Sequence, residues 1–269
     1  MQFVSYAQNC EDVLLWRALK HIDKGSYIDV GAQHPVIDSV SMAFYEKGWR
    51  GAHVEPNVQY AEELRRARPD EPVFEEVIGD SVATVPFYEI RDTGLSTCDL
   101  ASADLHAANG LGYTRTMKKV STLDSVFDRF GQRDIHWLKI DVEGFERQVI
   151  QGWQASAARP WIIVVESVCP HSQEDRSREW QDLLIGKDYS PAYFDGLNRY
   201  YLHQNHGDLA VAFGAPPNVF DNYVLNHLSR EEGELEALRA QLASIQGSTS
   251  WRITAPLRRL RSALASGRS

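Results

Sequence analysis

Acidic side chains at the ends of short apolar runs carry the first chemical signal in this 269-residue chain. Tyr27-Ile-Asp-Val-Gly-Ala-Gln-His-Pro35 begins as a β-forming run, and Asp29 interrupts it just before a turn at Gly31. A glycine there lets the backbone turn sharply and approach a ligand with no Cβ in the way. Ala52-His-Val-Glu-Pro56 is a second short run and ends on Glu55. An acid about 20 residues beyond a glycine turn is placed to accept both hydroxyls of a ribose. In Ile135-His-Trp-Leu-Lys-Ile-Asp-Val-Glu-Gly-Phe-Glu146 a buried strand carries Lys139 and ends at Asp141, with Glu143, Gly144 and Glu146 following. Three carboxylates beside a lysine can bind a divalent cation, act as general base or hold a cofactor's amino group. A helix N-terminus explains Glu143 and Glu146 equally well, and Asp141 less well. Trp161-Ile-Ile-Val-Val-Glu-Ser167 ends on Glu166 at the same rim, and His171 follows in a loop. A base or a metal ligand can come from such a loop, although a lone loop histidine is usually neither.

Strand, small-residue turn and helix together open a nucleotide-binding α/β sheet. A dinucleotide site prefers G-x-G-x-x-G, so that the pyrophosphate sits on the helix N-terminus. Here only the first glycine is present, His34 and Pro35 crowd the diphosphate position, and Asp29 would repel a phosphate. S-adenosylmethionine has a ribose, no phosphate and a cationic end, and suits Asp29 and Glu55 better. An ordinary βα turn remains the third reading.

The elements that must position these groups follow from periodicity. Val13, Leu14, Trp16 and Leu19 recur at helical spacing within residues 5–21, an amphipathic helix whose polar start, with Gln8, can close over a cofactor. Helices are expected over Val40–Trp49, Tyr60–Arg68, from Val120 through Phe130, and over Trp180–Leu184. Val73-Phe-Glu-Glu-Val-Ile-Gly-Asp-Ser81 reads as a third strand, with Gly79, Asp80 and Ser81 at its C-terminal end, where an adenine can be met. A simple polar turn explains those three as well. Val85-Pro-Phe-Tyr-Glu-Ile90 reads as an edge strand, the place where Pro86 is tolerated. Residues 92–117 lack periodicity and read as a long lid or substrate loop containing Ser96. Tyr193–Leu202 reads as an antiparallel hairpin turning at Asp195-Gly196, with Asn198, Arg199, Asn205 and His206 around it.

Three strings, Tyr27-Ile-Asp-Val-Gly-Ala32, Val54-Glu-Pro56 and Leu138-Lys-Ile-Asp-Val-Glu-Gly-Phe-Glu146, resemble the FkbM-type methyltransferases. Ser5-Tyr-Ala-Gln-Asn-Cys-Glu-Asp12 and Phe194-Asp-Gly-Leu-Asn-Arg199 look like the branch encoded with polysaccharide glycosyltransferases. The resemblance spans residues 1–225, and departs from the family's Asn-x-Gly at Gln33-His34-Pro35. It implies an α/β, class I methyltransferase Rossmann-like fold: a seven-stranded, mostly parallel sheet, its last strand antiparallel, with helices on both faces. It implies S-adenosylmethionine as donor and a hydroxyl acceptor, commonly on a sugar. Asp29 and Gly31 would flank the methionine portion, Glu55 would bind the ribose, and Gly79 to Ser81 would approach the adenine. Asp141 would sit beside the methyl group. Asp141, Glu166 and His171 are the candidates for catalysis; Ser96, Asn198, Arg199 and His206 are those for substrate. A non-catalytic scaffold in a glycan-assembly complex and a nicotinamide dehydrogenase stand as rivals.

Composition narrows the rest. A formal net charge of −9 argues against a broad nucleic-acid surface. Cys10, Cys98 and Cys169 form no CxxC pair and read as reduced thiols. The expectation is a cytoplasmic protein, since the N-terminus lacks a signal-peptide pattern and no stretch is apolar for long enough to span a bilayer. Residues 226–247 read as a short heptad helix on Leu228, Leu235, Leu238, Leu242 and Ile245. Residues 248–269 hold five arginines and no acid, with Trp251, Leu257, Leu260 and Leu264 as one stripe. Such a segment suggests peripheral contact with the inner face of a membrane or a partner helix, with a solvated tail as the alternative. The string Ser250-Trp-Arg-Ile-Thr-Ala-Pro-Leu-Arg258 resembles tails on surface-glycan glycosyltransferases, which makes such enzymes the expected partners.

Overall fold

The computed structural model describes residues 2–91, 93–131, 134–168 and 174–227, and a few beyond them: 238, 241, 242, 244, 245 and 251. The chain falls into two units, residues 1–223 and 224–269. In chain order the first unit runs β1 (Phe3–Ser5), α1 (Glu11–Leu19), β2 (Ser26–Val30), α2 (Met42–Glu46), β3 (Arg50–Val54) and α3 (Val58–Ala67). It continues with β4 (Val73–Phe74), β5 (Val77–Ile78), β6 (Ala83–Glu89), α4 (Leu100–Ala108), β7 (Thr114–Ser121) and α5 (Leu123–Phe130). Then come β8 (Trp137–Ile140), α6 (Glu146–Gln151), β9 (Ile162–Glu166), α7 (Gln181–Ile185), β10 (Tyr189–Phe194) and β11 (Asn198–His203).

Seven strands form one sheet in the order β10-β11-β9-β8-β2-β3-β4. β4, β3, β2, β8 and β9 pair in parallel, whereas β11 is antiparallel to both β9 and β10. The fold is thus α/β with mixed sheets, and a separate three-stranded sheet, β5-β7-β6, accompanies the large one. The chain winds outward from β2 through β3 to β4 and later returns to β8 on the other side of β2. Ligands bind at such reversals, beyond the carboxyl ends of the strands.

Strand side chains alternate between two apolar layers, as a period of two requires. Tyr27, Trp137, Ile162, Val164 and Tyr200 pack against Leu14, Leu15 and Leu19 of α1 and Phe44 of α2. Ile28, Val54, Leu138, Ile163 and Val165 pack on the opposite face against α5, α6 and α7, through Leu123, Val126, Val149, Ile150 and Leu184. Full burial of such side chains contributes about 1.5–3 kcal/mol each before chain entropy is counted. Asp29, Lys139 and Glu166 follow the first alternation, so they share a face and reach the same rim.

Two sequence expectations need correction. The single strand over Val73–Ser81 is two short ones in different sheets. Val73 and Phe74 pair with His53 and Val54, whereas Val77 and Ile78 pair with Val120 and Ser121. Between them Glu75 is held by Arg65 and Glu76 by Arg129, and these ion pairs carry the chain from one sheet to the other. Residues 92–117 are not one long loop: α4 occupies Leu100–Ala108, and Asp99 caps it by accepting from Ser102 N at 2.8 Å. Only Ser102, Ala103 and His106 of α4 are buried, so the helix has almost no apolar stripe to read.

In the second unit residues 238, 241, 242, 244, 245 and 251 are helical, with Leu238, Leu242, Ile245 and Trp251 exposed. Leu228, Leu235 and the arginine-rich stretch lie outside the described residues. Among the described residues no helix is long and apolar enough to cross a membrane.

A close backbone approach joins the end of α6 to the end of β5. A Cβ added to Gly152 would lie 2.1 Å from the Gly79 carbonyl oxygen, and Asp124 N donates to Gly152 O at 3.1 Å. A backbone neighbour cannot swing aside. Gly152→Ala is therefore expected to destabilise the protein by about 1–3 kcal/mol, read as a lower denaturant midpoint with an unchanged slope.

Candidate active site

Beyond the carboxyl ends of β2, β3, β8 and β9 lies a cavity of about 600 Å³, within the range of small-molecule sites. Gln8, Asp29, Gly31, Glu55, Ser96, Asp141 and Glu166 line it, together with Glu11, Lys139, Glu143, Tyr60 and Phe145. The groups expected from scattered segments of the sequence thus meet in one place.

The turn after β2 is built by backbone constraints. Gly31 has φ +82°, and a Cβ on it would lie 1.7 Å from the Asp141 carbonyl oxygen. Its missing side chain therefore lets the β2 and β8 turns touch, which a ligand-based reading of this glycine did not anticipate. Gly31 N and Ala32 N both donate to Val54 O. Glu55 then ties the β2 and β3 ends together: Oε2 accepts from Gln33 N at 2.8 Å and Oε1 from Asn57 N at 2.7 Å. Each carboxylate oxygen keeps a further lone pair for a ligand hydroxyl. Burial pushes the Glu55 carboxyl up to about 7, against the pull of those two N–H groups. His34 is occupied locally, its Nδ1 accepting from Val36 N and Ile37 N.

Lys139 is 6% exposed, and its Nζ donates to Asp141 Oδ2 at 2.5 Å. Burial alone would lower the lysine, but Asp141, Asp29 and Glu11 outweigh it and hold it above its usual value. One oxygen from each of Asp141, Glu143 and Glu166 lies within 4.8 Å of the others. Burial, then Asp141 and the neighbouring glutamates, raises Glu143 and Glu166 well above the ordinary carboxylate range. Glu146 braces this turn from below, Oε1 accepting from Gly144 N at 3.0 Å and Val142 N at 3.3 Å. Burial lifts it to about 6.

Glu143 and Glu11 are the acids whose place the sequence obscured. Glu143 has φ +54° and precedes Gly144 at +96°, so it belongs to a turn ahead of α6 and not to its first helical turn. The Glu-Gly pair was the available signal. Glu11 does open α1, but it is buried, and Asn198 Nδ2 donates to its Oε1 at 2.9 Å. Cys98 also lines the cavity, with burial pushing its thiol up to about 12, which makes it a poor nucleophile.

Other candidates sit elsewhere. The wall beside the third strand is Glu76, Val77 and Ile78, while Asp80 and Ser81 are exposed and bonded to each other. The Gly79 carbonyl is the one packed on Gly152. Asn198 pairs with Glu166 in the β11–β9 register and holds Glu11 in place. Arg199 alternates to the other face and is ion-paired with Asp175. His206 stacks on Trp161 at a 3.9 Å centroid distance, before the start of β9 and so at the opposite end of the strands from Glu166. Ser96 faces the cavity while its Oγ accepts from Ile90 N at 3.1 Å. His171 lies outside the described residues.

The sequence matches the Methyltransferase FkbM domain over residues 29–208, two-thirds of the chain. The protein belongs to the FkbM methyltransferase family. Methyl transfer is accordingly the chemistry of this FkbM domain, and the cavity at the reversal between β2 and β8 is its candidate active site. No curated protein matches the sequence. Among solved structures the chain is similar to an O-methyltransferase from Bacillus cereus in complex with SAH, at 11% identity and a TM-score of 0.37, over 71% of this chain and 78% of that one. It is also similar to a putative O-methyltransferase from Klebsiella pneumoniae, at 9% identity and a TM-score of 0.31, over 73% and 79%. Neither likeness is close enough to carry an argument about this FkbM domain.

The buried acids make a prediction about the ligand-free protein. A carboxyl raised in the folded chain binds its proton more readily there than in the unfolded chain. Stability therefore falls as pH rises from the ordinary value of 4.5 through about 6 for Glu146 and about 7 for Glu55. Glu55 alone accounts for up to about 3 kcal/mol. The melting temperature is expected to be higher at pH 5.5 than at pH 8, with a flatter profile in Glu55→Ala.

Proposed function

We propose that this protein is an S-adenosylmethionine-dependent O-methyltransferase acting on a sugar hydroxyl of a surface polysaccharide or related glycan. One observation carries the donor assignment. Asp29 and Glu55 flank a turn that has no phosphate cradle, and their carboxyls line a cavity rich in buried acid. That setting suits a ribose attached to a cationic amino acid and opposes a diphosphate. Glu55 takes the ribose hydroxyls, Asp29 and Gly31 flank the methionine portion, and Asp141 stands near the methyl group.

The sulfonium is already activated, so the protein's work is in-line positioning of the acceptor oxygen. As the methyl carbon leaves sulfur and bonds to oxygen, the acceptor proton must go to a base. Glu166 and Asp141, both in the cavity lining, are the carboxylates assigned to take it. The products are the methyl ether, S-adenosylhomocysteine and a proton held by the carboxylate.

The hard oxygen set of Asp141, Glu143 and Glu166 fits a divalent cation such as Mg²⁺ or Ca²⁺. A bound cation would act as a Lewis acid on the acceptor hydroxyl. The exposed residues Leu238, Leu242, Ile245 and Trp251 are consistent with docking of the C-terminal unit to glycan-assembly enzymes or a membrane surface.

Calorimetric titration with S-adenosylmethionine tests the donor assignment. Saturable binding is expected for the wild type, and Glu55→Ala is expected to weaken it by at least about tenfold, on the scale of a lost hydrogen bond to a charged group. No binding by folded wild type would sink the assignment and favour a scaffold. Addition of Mg²⁺ to metal-stripped protein is expected to give a binding isotherm that Glu143→Gln weakens; an unchanged blank would remove the cation from the scheme.

A further inference from the structure

One buried network is not accounted for by packing or by the scheme above. It begins at Asp29, which is 2% exposed and lines the cavity. Asp29 Oδ2 accepts from Ser41 Oγ at 2.7 Å, and Ser41 Oγ in turn accepts from Arg68 Nη1 at 2.7 Å. A guanidinium can only donate. The Ser41 hydroxyl must therefore accept from Arg68 and send its single proton to Asp29, so the direction of the relay is fixed by chemistry. Arg68 is held in turn: Nη2 donates to Pro35 O at 2.7 Å and Ser39 Oγ at 2.9 Å.

The charge of Arg68 is balanced behind it. Glu71 Oε2 lies 3.9 Å from Arg68 Nη1 and 2.7 Å from His53 Nε2, and Oε1 accepts from Tyr27 OH at 2.7 Å and Gly51 N at 2.6 Å. The side chains of Arg68, Glu71 and His53 are all fully buried. A buried charged network is costly unless every member is satisfied, and hydrophobic replacement would often fold as well. This network spans Pro35, Ser39 and Ser41, which frame the loop that gives Asp38 and Val40 to the cavity. It ends on the one acid of β2. Asp29 Oδ1 accepts no hydrogen bond from the described residues, which leaves that oxygen available to a ligand.

We propose that Ser41 and Arg68 are positioning residues that orient the Asp29 carboxylate towards the amino-acid end of the methyl donor. The inference rests on the donor assignment above. Its mark is ligand selectivity: the relay acts on the part of the ligand that Asp29 faces, and not on the adenosine part held by Glu55.

Calorimetry with two probes, S-adenosylhomocysteine and 5′-methylthioadenosine, separates these cases. The second probe lacks the amino-acid end. Ser41→Ala removes the hydroxyl while leaving Arg68 its bonds to Pro35 and Ser39, and is expected to fold. It should weaken S-adenosylhomocysteine by about tenfold, the effect of losing one hydrogen bond to a charged group, and leave 5′-methylthioadenosine within about twofold. Arg68→Lys keeps the charge but loses the fork, and should show the same selective loss. Equal losses for both probes, or no loss for either, would overturn the proposal, because a merely structural role moves them together. Failure of the wild type to bind either probe would overturn the donor assignment itself, and the proposal with it.

Discussion

A buried lysine in the middle of the large sheet sets the terms for the acids around it. Lys139 lies in the centre of the sheet on β8, between β2 and β9, and Asp29, Asp141 and Glu11 surround its ammonium. Without it these acids would face one another at close range in a largely buried setting, where unit charges a few ångströms apart repel strongly even at an effective dielectric of about 20. Without the acids a buried lysine would lose its proton. The strand sequence Leu-Lys-Ile-Asp therefore encodes a local neutralisation inside the cavity. Glu143 and Glu166 are raised by burial first and then by Asp141 and the neighbouring glutamates, with Lys139 pulling Glu143 the other way.

That constraint explains why the turns here are rigid although they are irregular. Glu55 and Glu146 are spent on backbone N–H groups, the first joining the β2 and β3 ends and the second bracing the turn that presents Glu143. Left-handed residues Gln33 and Glu143 stand at those two turns. Strained backbone persists only where the surroundings over-determine it, and here the surroundings are carboxylates. A cavity dense in acid thus also supplies the scaffold of its own loops.

Much of this was legible in the sequence, for a physical reason. Strands buried on both faces read as continuous apolar runs, so an acid at the end of one stands out. Asp29, Glu55, Asp141 and Glu166 were found that way, and all four line the cavity. What failed to show were features whose signal is not apolar. α4 buries a serine, an alanine and a histidine, and so leaves no stripe. The split of Val73–Ile78 between two sheets lies in their pairing partners, β3 for the first half and β7 for the second, which leave no mark in the segment's own pattern. Arg199 and His206 looked like site residues by type alone. Strand alternation sends the first to the other face, and the antiparallel direction of β11 carries the chain away from the rim before it reaches the second.

The two strings outside the strand ends have a joint explanation. Asn9 Nδ2 donates to Asp195 O at 3.4 Å and Asn198 Nδ2 to Glu11 Oε1 at 2.9 Å, so the N-terminal segment and the hairpin turn bond directly to each other. Asp195 then organises its own turn, accepting from Leu197 N, Asn198 N and Tyr200 OH. The result places Gln8, Glu11 and Leu197 together on one wall of the cavity. The family match begins only at residue 29 and therefore omits Gln8 and Glu11 of that wall. A chain that keeps Asp29, Glu55 and Asp141 but changes residues 8–11 would keep the strand-end acids and alter the wall beside them. The shape of that part of the cavity is then a property of the packing between the N-terminal segment and the hairpin, and the strand-end acids alone do not fix it.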